Sequence, residues 1–303
     1  MHRALSATLV LVGGSALACR AERHVPAGLP VQRITVADTG FRTPESVLYD
    51  ETADAYIVSN INGSPLDKDD NGFLSRLAPD GTVMALKWID GAAPDVTLNA
   101  PKGMAIKGDT LFVADIDALR LFHRVSGAAL GSRTVPGATF LNDVAVGPDG
   151  TVYVTDSGLQ AGTQGFAPSG SDAIYRFDAS GKPAAVARDT TLGRPNGLLA
   201  DTTGLTVVTF GSGEIFRLDV TSGAKTALPK PPQGSLDGVV RSADGSLLVS
   251  SWDGRAIYRL AAGVWTVAVD SVEAPADIGY DGKRARVLIP LFTTNRVVLQ
   301  PLR

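Results

Sequence analysis

One short layout recurs six times between Thr43 and Gly279, and nothing else in the sequence restricts the fold so strongly. The copies are TPESVL (43–48), APKGMA (100–105), FLNDVA (140–145), RPNGLL (194–199), SLDGVV (235–240) and APADIG (274–279). Each has Pro or Leu, a variable residue, a small or acidic residue, then an aliphatic pair. A second apolar run follows each copy: YIVSN, LFVAD, VYVTD, TVVTF, LLVSS and VLIPL. A third, often aromatic and basic, completes the unit in FLSRL, LRLFHR, AIYRFD, EIFRLD, AIYRLA and RVVLQP. Turn signals such as Pro79-Asp80-Gly81 and Pro148-Asp149-Gly150 separate the runs, and no helical periodicity appears beyond the N-terminal segment. Short strands recurring every 47 residues or so describe propeller blades rather than a sandwich. The expected fold is all-β, a single six-bladed β-propeller over residues 35–303, although the length alone would suggest two domains.

The variable residues of the six copies are Glu45, Lys102, Asn142, Asn196, Asp237 and Ala276, spaced by 57, 40, 54, 41 and 39 residues. In a propeller the innermost strands line the central channel, so these side chains converge as a ring at one mouth of the tunnel. Ser46, Asp143 and Asp277 stand one step further on. Asn60, Asp115 and Asp156 end the second strands, which return to the same face. Two carboxylates and two amides from separate blades form an oxygen site suited to Ca²⁺, with Mg²⁺ or Mn²⁺ as alternatives. Zn²⁺ is disfavoured for want of His or Cys.

Composition removes other classes. Net charge is −3, charged residues are 19% of the chain and no basic stretch appears, so nucleic acid is not an expected partner. A single Cys excludes internal disulfides and Cys-based zinc sites. That Cys follows Arg3, an apolar run from Ala4 to Val12 and the small residues around Ala16 and Ala18. Residues 1–18 read as a bacterial export signal cleaved before Cys19. Ala18-Cys19 resembles a lipobox, so lipidation of Cys19 is expected, plain secretion with a free thiol being the alternative. Residues 19–34 then form a tether. The protein is expected in the periplasm or as a membrane-anchored lipoprotein, touching the membrane only through Cys19, and as a monomer.

With these residues in register, the sequence resembles the six-bladed propellers of the regucalcin, gluconolactonase and luciferin-regenerating enzyme group, and more distantly the paraoxonases. The resemblance spans residues 35–300 and is carried by Pro44-Glu45, by Asn142-Asp143-Val144, by the Asn-Gly of RPNGLL and by the Asp-Gly of SLDGVV. It implies that Glu45, Asn196 and Asp237 hold one divalent cation, with Asn142 joining directly or through water, and that Asp237 is the general base. The activity so implied is metal-assisted hydrolysis of a lactone, the substrate being a small lactone or sugar derivative. Asp143, Asp156 or Asp277 could share the base's task. A non-catalytic, Ca²⁺-dependent propeller that binds a small ligand, a glycan or a partner protein is the alternative.

Lys102 departs from the pattern by placing a cation in the ring; it is expected to bind an anionic substrate, to pair with Asp143 or Glu45, or to replace the metal. His123, the one histidine in the repeat region, reads as an ordinary strand residue. Asp67-x-Asp69-x-Asn71-Gly72 matches the start of an EF-hand loop, but Ala78 stands where a bidentate Glu is required, so it reads as a solvated loop. Residues 157–171 read as a Gly-rich lid or long connection. Trp252 is placed on the rim of the pocket, and Trp88 and Trp265 between blades. The aromatic-basic third strands read as blade packing with solvated Arg heads.

Overall fold

The computed structural model describes Met1, residues 32–163 and residues 165–302. The export signal, Cys19 and most of the tether lie outside the described residues. Gln32–Arg303 form one compact unit. It is a six-bladed β-propeller, each blade a four-stranded antiparallel sheet. The inner strands are Pro44–Asp50, Pro101–Lys107, Leu141–Val146, Pro195–Asp201, Leu236–Arg241 and Gly279–Asp281. Three of them open on Pro, which lacks a ladder donor and so suits the first residue of a strand. Among the described residues the one helical element is a 3₁₀ turn, Thr190–Leu192, and no helix is long and apolar enough to cross a membrane.

Second and third strands coincide with the expected apolar runs, for example Ala55–Asn60 and Phe73–Leu77 in the first blade. The outer strands left no such trace. Ala129–Thr134 is exposed at every residue, and Lys225–Ala227 likewise, because an outermost strand has no sheet beyond it to bury a face. Apolar side chains instead pack between neighbouring blades. Trp88 lies against a cluster joining Ile57 and Leu74 of the first blade to Met104 and Phe122 of the second, and Trp265 borders a cluster joining the fourth and fifth.

The ring closes twice. At the periphery Ile34–Val36 supplies the outer strand of the last blade, pairing antiparallel with Arg296–Pro301 (Thr35 opposite Val298). At the tunnel, Asp277 N donates to Glu45 O at 2.9 Å and Val47 N to Asp277 O at 3.3 Å. A polar pin reinforces the seam: the fully buried Tyr56 donates its hydroxyl to Asp281 Oδ2 at 2.6 Å, and Arg284 Nη1 donates to the same oxygen at 3.0 Å.

Residues 157–171 form the long connection between the second and third strands of the third blade and contain a hairpin, Leu159–Gly162 paired with Gly165–Pro168. One reading of the sequence is corrected. The third-strand Arg heads are not all solvated. Arg120 Nε donates to the buried Asp115 of the neighbouring second strand at 2.7 Å, and Arg217 reaches past the second strand to fork onto Asp201 of the inner strand at 2.7 and 3.0 Å. The Asp67–Asp70 stretch is exposed, as expected of a solvated loop.

Tyr56→Phe removes the pin from a buried acceptor and is expected to lower unfolding free energy by about 1–2 kcal/mol in denaturant titration. Tyr175, whose buried hydroxyl has no partner, provides the contrast: Tyr175→Phe is expected to be neutral or stabilising.

Candidate functional site

The side chains at the tunnel mouth are aimed by an irregularity repeated in blades one to five. Pairing of inner with second strand jumps between Pro44 and Val47, Pro101 and Met104, Leu141 and Val144, Pro195 and Leu198, and Leu236 and Val239. Each jump is a β-bulge, which bends the strand and redirects the extra residue. The bulged N–H groups, lost to the ladder, find hydroxyls on the second strand. Ser46 N donates to Ser59 Oγ (2.9 Å), Asp143 N to Thr155 Oγ1 (2.9 Å) and Gly238 N to Ser250 Oγ (2.7 Å). Thr155 and Ser250 pass the bond on, donating to Asn196 O (2.7 Å) and Ala276 O (2.8 Å) of the next blade. These two hydroxyls each buckle one ring position to its neighbour.

Gly103 and Gly238 follow ring residues because the next blade crowds them. A Cβ at Gly103 would strike the Asp143 carboxylate, and one at Gly238 would strike Asp277 and Ile278 N. Asn196-Gly197 and Asp237-Gly238 lie within the bulges of their inner strands.

Glu45, Asn142, Asn196 and Asp237 are each 4% exposed. Their Oε2, Oδ1, Oδ1 and Oδ1 atoms are buried without a hydrogen-bond partner. Buried polar atoms normally have partners, so four orphaned oxygens at equivalent positions of four blades require a common explanation. A hard cation supplies one, since each oxygen is an acceptor with no donor to meet. Among the described residues no three His, Cys, Asp or Glu side chains form a metal-binding group, which leaves the mixed carboxylate and amide set as the fitting donors. Burial, and then the charges of Asp237 and Asp277, push the Glu45 carboxyl well above its ordinary range. Asp237 is raised by burial and by Asp277. A cation would relieve both.

Lys102 does not pair with Glu45 or Asp143. Its ammonium donates to Ala100 O (2.9 Å) and Pro65 O (3.2 Å) and lies 4.5 Å from the centre of the Phe140 ring. These carbonyls take two of the ammonium's three N–H donors. Burial lowers its pKa to about 8, against the opposing pull of Asp115 and Glu45.

Asp156 receives Phe140 N and Gly158 N on one oxygen and Thr139 N on the other, so it organises the backbone ahead of Asn142. Asp115 holds Asn99 N and Ala100 N in the same way, and Asn60 accepts from Arg42 N. Asp143 takes Val144 N and Leu198 N, both at 2.6 Å, and Asp277 accepts from Ser46 Oγ at 2.5 Å. These last two carboxylates line a tunnel cavity of about 390 Å³ below the ring, whose walls include Met104, Val144, Leu198 and Val239.

Trp252 does reach the site. Its indole Nε1 donates to Asp237 Oδ2 at 2.8 Å, leaving Oδ1 as the orphan. His123 instead accepts two backbone N–H groups of its own turn, from Val125 and Ser126.

Residues 44–280 match the sequence profile of the SMP-30/Gluconolactonase/LRE-like region. The chain belongs to this family. No curated protein matches it. Among solved structures, a gluconolactonase of Xanthomonas campestris is similar at 20% identity and TM-score 0.68, covering 89% of each chain. A calcium-binding protein, regucalcin, of Agrobacterium tumefaciens is similar at 18% identity and TM-score 0.61, covering 88% of this chain and 92% of that one. A virginiamycin B lyase of Staphylococcus aureus shares 15% identity at TM-score 0.60, covering 90% and 99%. At such identities these likenesses concern the fold of this SMP-30/gluconolactonase/LRE-like chain.

The mouth carboxylates imply a pH dependence. Burial raises Asp277 to about 7 from 3.8, and Glu45, Asp143 and Asp237 move in the same direction. Between those values the folded state holds a proton that the unfolded state releases, so stability falls as pH rises through that window. The surface carboxylates Asp54, Asp201 and Asp244 are held far below their ordinary range and act only at lower pH. In chelator, the melting temperature is expected to be higher at about pH 5 than at about pH 8, with Asp277→Asn narrowing the gap. A flat or rising profile would contradict the assigned burial of charge.

Proposed function

We propose that the chain is a divalent-cation-dependent hydrolase of cyclic esters. The observation that carries this reading is the set of unpartnered buried oxygens on Glu45, Asn142, Asn196 and Asp237, at equivalent inner-strand positions of four blades. Family membership and the gluconolactonase among its structural relatives support it.

These four side chains would hold the cation, Ca²⁺ or another hard divalent ion. When bound, such an ion supplies Lewis-acid polarisation of the ester carbonyl. Asp237 accepts the proton of the attacking water, and its carboxylate is oriented for that task by the Trp252 N–H. Asp143 and Asp277 back this arrangement electrostatically from one step deeper, each fixed by its own hydrogen bonds.

Hydrolysis of a lactone panel with and without added Ca²⁺ or Mn²⁺ tests the proposal. Turnover is expected to vanish on chelation and to fall by about 10²–10⁴ in Asp237→Asn. Cation binding without turnover of any lactone would instead favour a non-catalytic, Ca²⁺-dependent propeller.

A further inference from the structure

A second collar of residues stands directly on the ring. It comprises the first residue after each second strand: Ile61, Ile116, Ser157, Phe210, Trp252 and Phe292. Five of the six are bound to the ring through one repeated contact, a backbone N–H donated to the carbonyl two residues before the ring position. These bonds are Ile61 to Thr43, Ser157 to Phe140, Phe210 to Arg194, Trp252 to Ser235 and Phe292 to Ala274, at 2.9–3.1 Å. Thr43, Arg194, Ser235 and Ala274 are held at φ of 50°, 59°, 48° and 43° to present those carbonyls. Such left-handed backbone is costly for non-glycine residues and persists where its surroundings enforce it.

Five collar residues are apolar. Phe210 meets Trp252 edge-on at 5.4 Å, Trp252 meets Phe292 at 5.2 Å, and Phe292 packs on the cluster of Ile61 and Ile116. The aromatic surface of these three rings remains partly accessible. Outside the four ring oxygens, three polar groups beside the collar are already engaged. Ser157 Oγ donates to Pro195 O (2.7 Å) and accepts from Asn142 (3.0 Å), the Trp252 N–H is on Asp237, and Lys102 is on two carbonyls. Beyond Lys102, Phe140 is met edge-on by Phe166, which is 54% exposed on the hairpin.

We infer that this mouth selects cyclic esters bearing an apolar alkyl or aryl substituent over polyhydroxylated sugar lactones, with the substituent seated on Phe210, Trp252 and Phe292. The inference rests on the hydrolase reading for its reaction, while ligand recognition is measurable without turnover. A sugar ring placed at Asp237 would turn its hydroxyls toward aromatic faces, where they would forfeit the hydrogen bonds they make to water. An alkyl chain there removes apolar area from water on both sides.

The test uses the full-length protein with added Ca²⁺, a homologous series of δ-alkyl-δ-lactones, dihydrocoumarin and gluconolactone. Two readings are taken: kcat/KM, and tryptophan fluorescence corrected with Trp252→Phe. The expected result is a kcat/KM at least tenfold higher for the apolar lactones, rising by up to about fourfold per methylene until the collar is filled. Phe210→Ser and Phe292→Ser are each expected to raise KM for alkyl lactones severalfold more than for gluconolactone. If gluconolactone is turned over as well as or better than the alkyl series, the collar inference falls and the hydrolase reading stands. If no lactone is hydrolysed but alkyl lactones alone quench Trp252, the hydrolase reading falls and apolar recognition stands. If no lactone is hydrolysed and Trp252 does not respond, both fall. Should one Phe variant fail to fold, the wild-type chain-length series still decides.

Discussion

Crowding of the inner strands around one axis governs this molecule. Strands that converge on a tunnel cannot all keep regular pairing with their own blades, and blades one to five relieve the crowding with a bulge at the same point. The bulge frees an N–H that Ser59, Thr155 or Ser250 then captures, and it turns the ring side chain inward. Small residues at Gly103 and Gly238 make room for the carboxylates of Asp143 and Asp277 from the next blade. The chemistry at the mouth thus follows from the way the propeller closes.

That arrangement gathers buried charge at a cost. Glu45, Asp143, Asp237 and Asp277 share one end of the tunnel, and Lys102 offsets them only partly because its ammonium is spent on the Ala100 and Pro65 carbonyls. Unpaired buried carboxylates oppose folding when ionised, and a bound cation is the natural compensation. Metal binding and stability are linked in this account.

The first three strands of each blade were legible in the sequence because each buries apolar side chains between neighbouring blades. The outer strands were not, since exposed segments such as Ala129–Thr134 carry no pattern that burial would impose. Glu45, Asn142, Asn196 and Asp237 were legible through register, which places equivalent residues at equivalent depths. The partners of Lys102 and Asp156 were not, because they depend on backbone carbonyls and amides brought in by loops. Apart from Trp252, which was placed on the rim, the collar was not legible for another reason. Ile61, Phe210 and Phe292 extend apolar strand sequences by one residue, and only the bonds to Thr43, Arg194 and Ala274 reveal that they stand over the ring. Carrying the alignment of second strands one position further would have exposed them.

The central claim is that the four orphaned oxygens make one cation site. Calorimetric titration of the chelated protein with Ca²⁺ at neutral pH tests it most directly. The account predicts one ion bound per chain, with affinity lost in Glu45→Gln and Asn196→Ala and retained in His123→Ala. Absence of binding, or binding indifferent to Glu45 and Asn196, would contradict it.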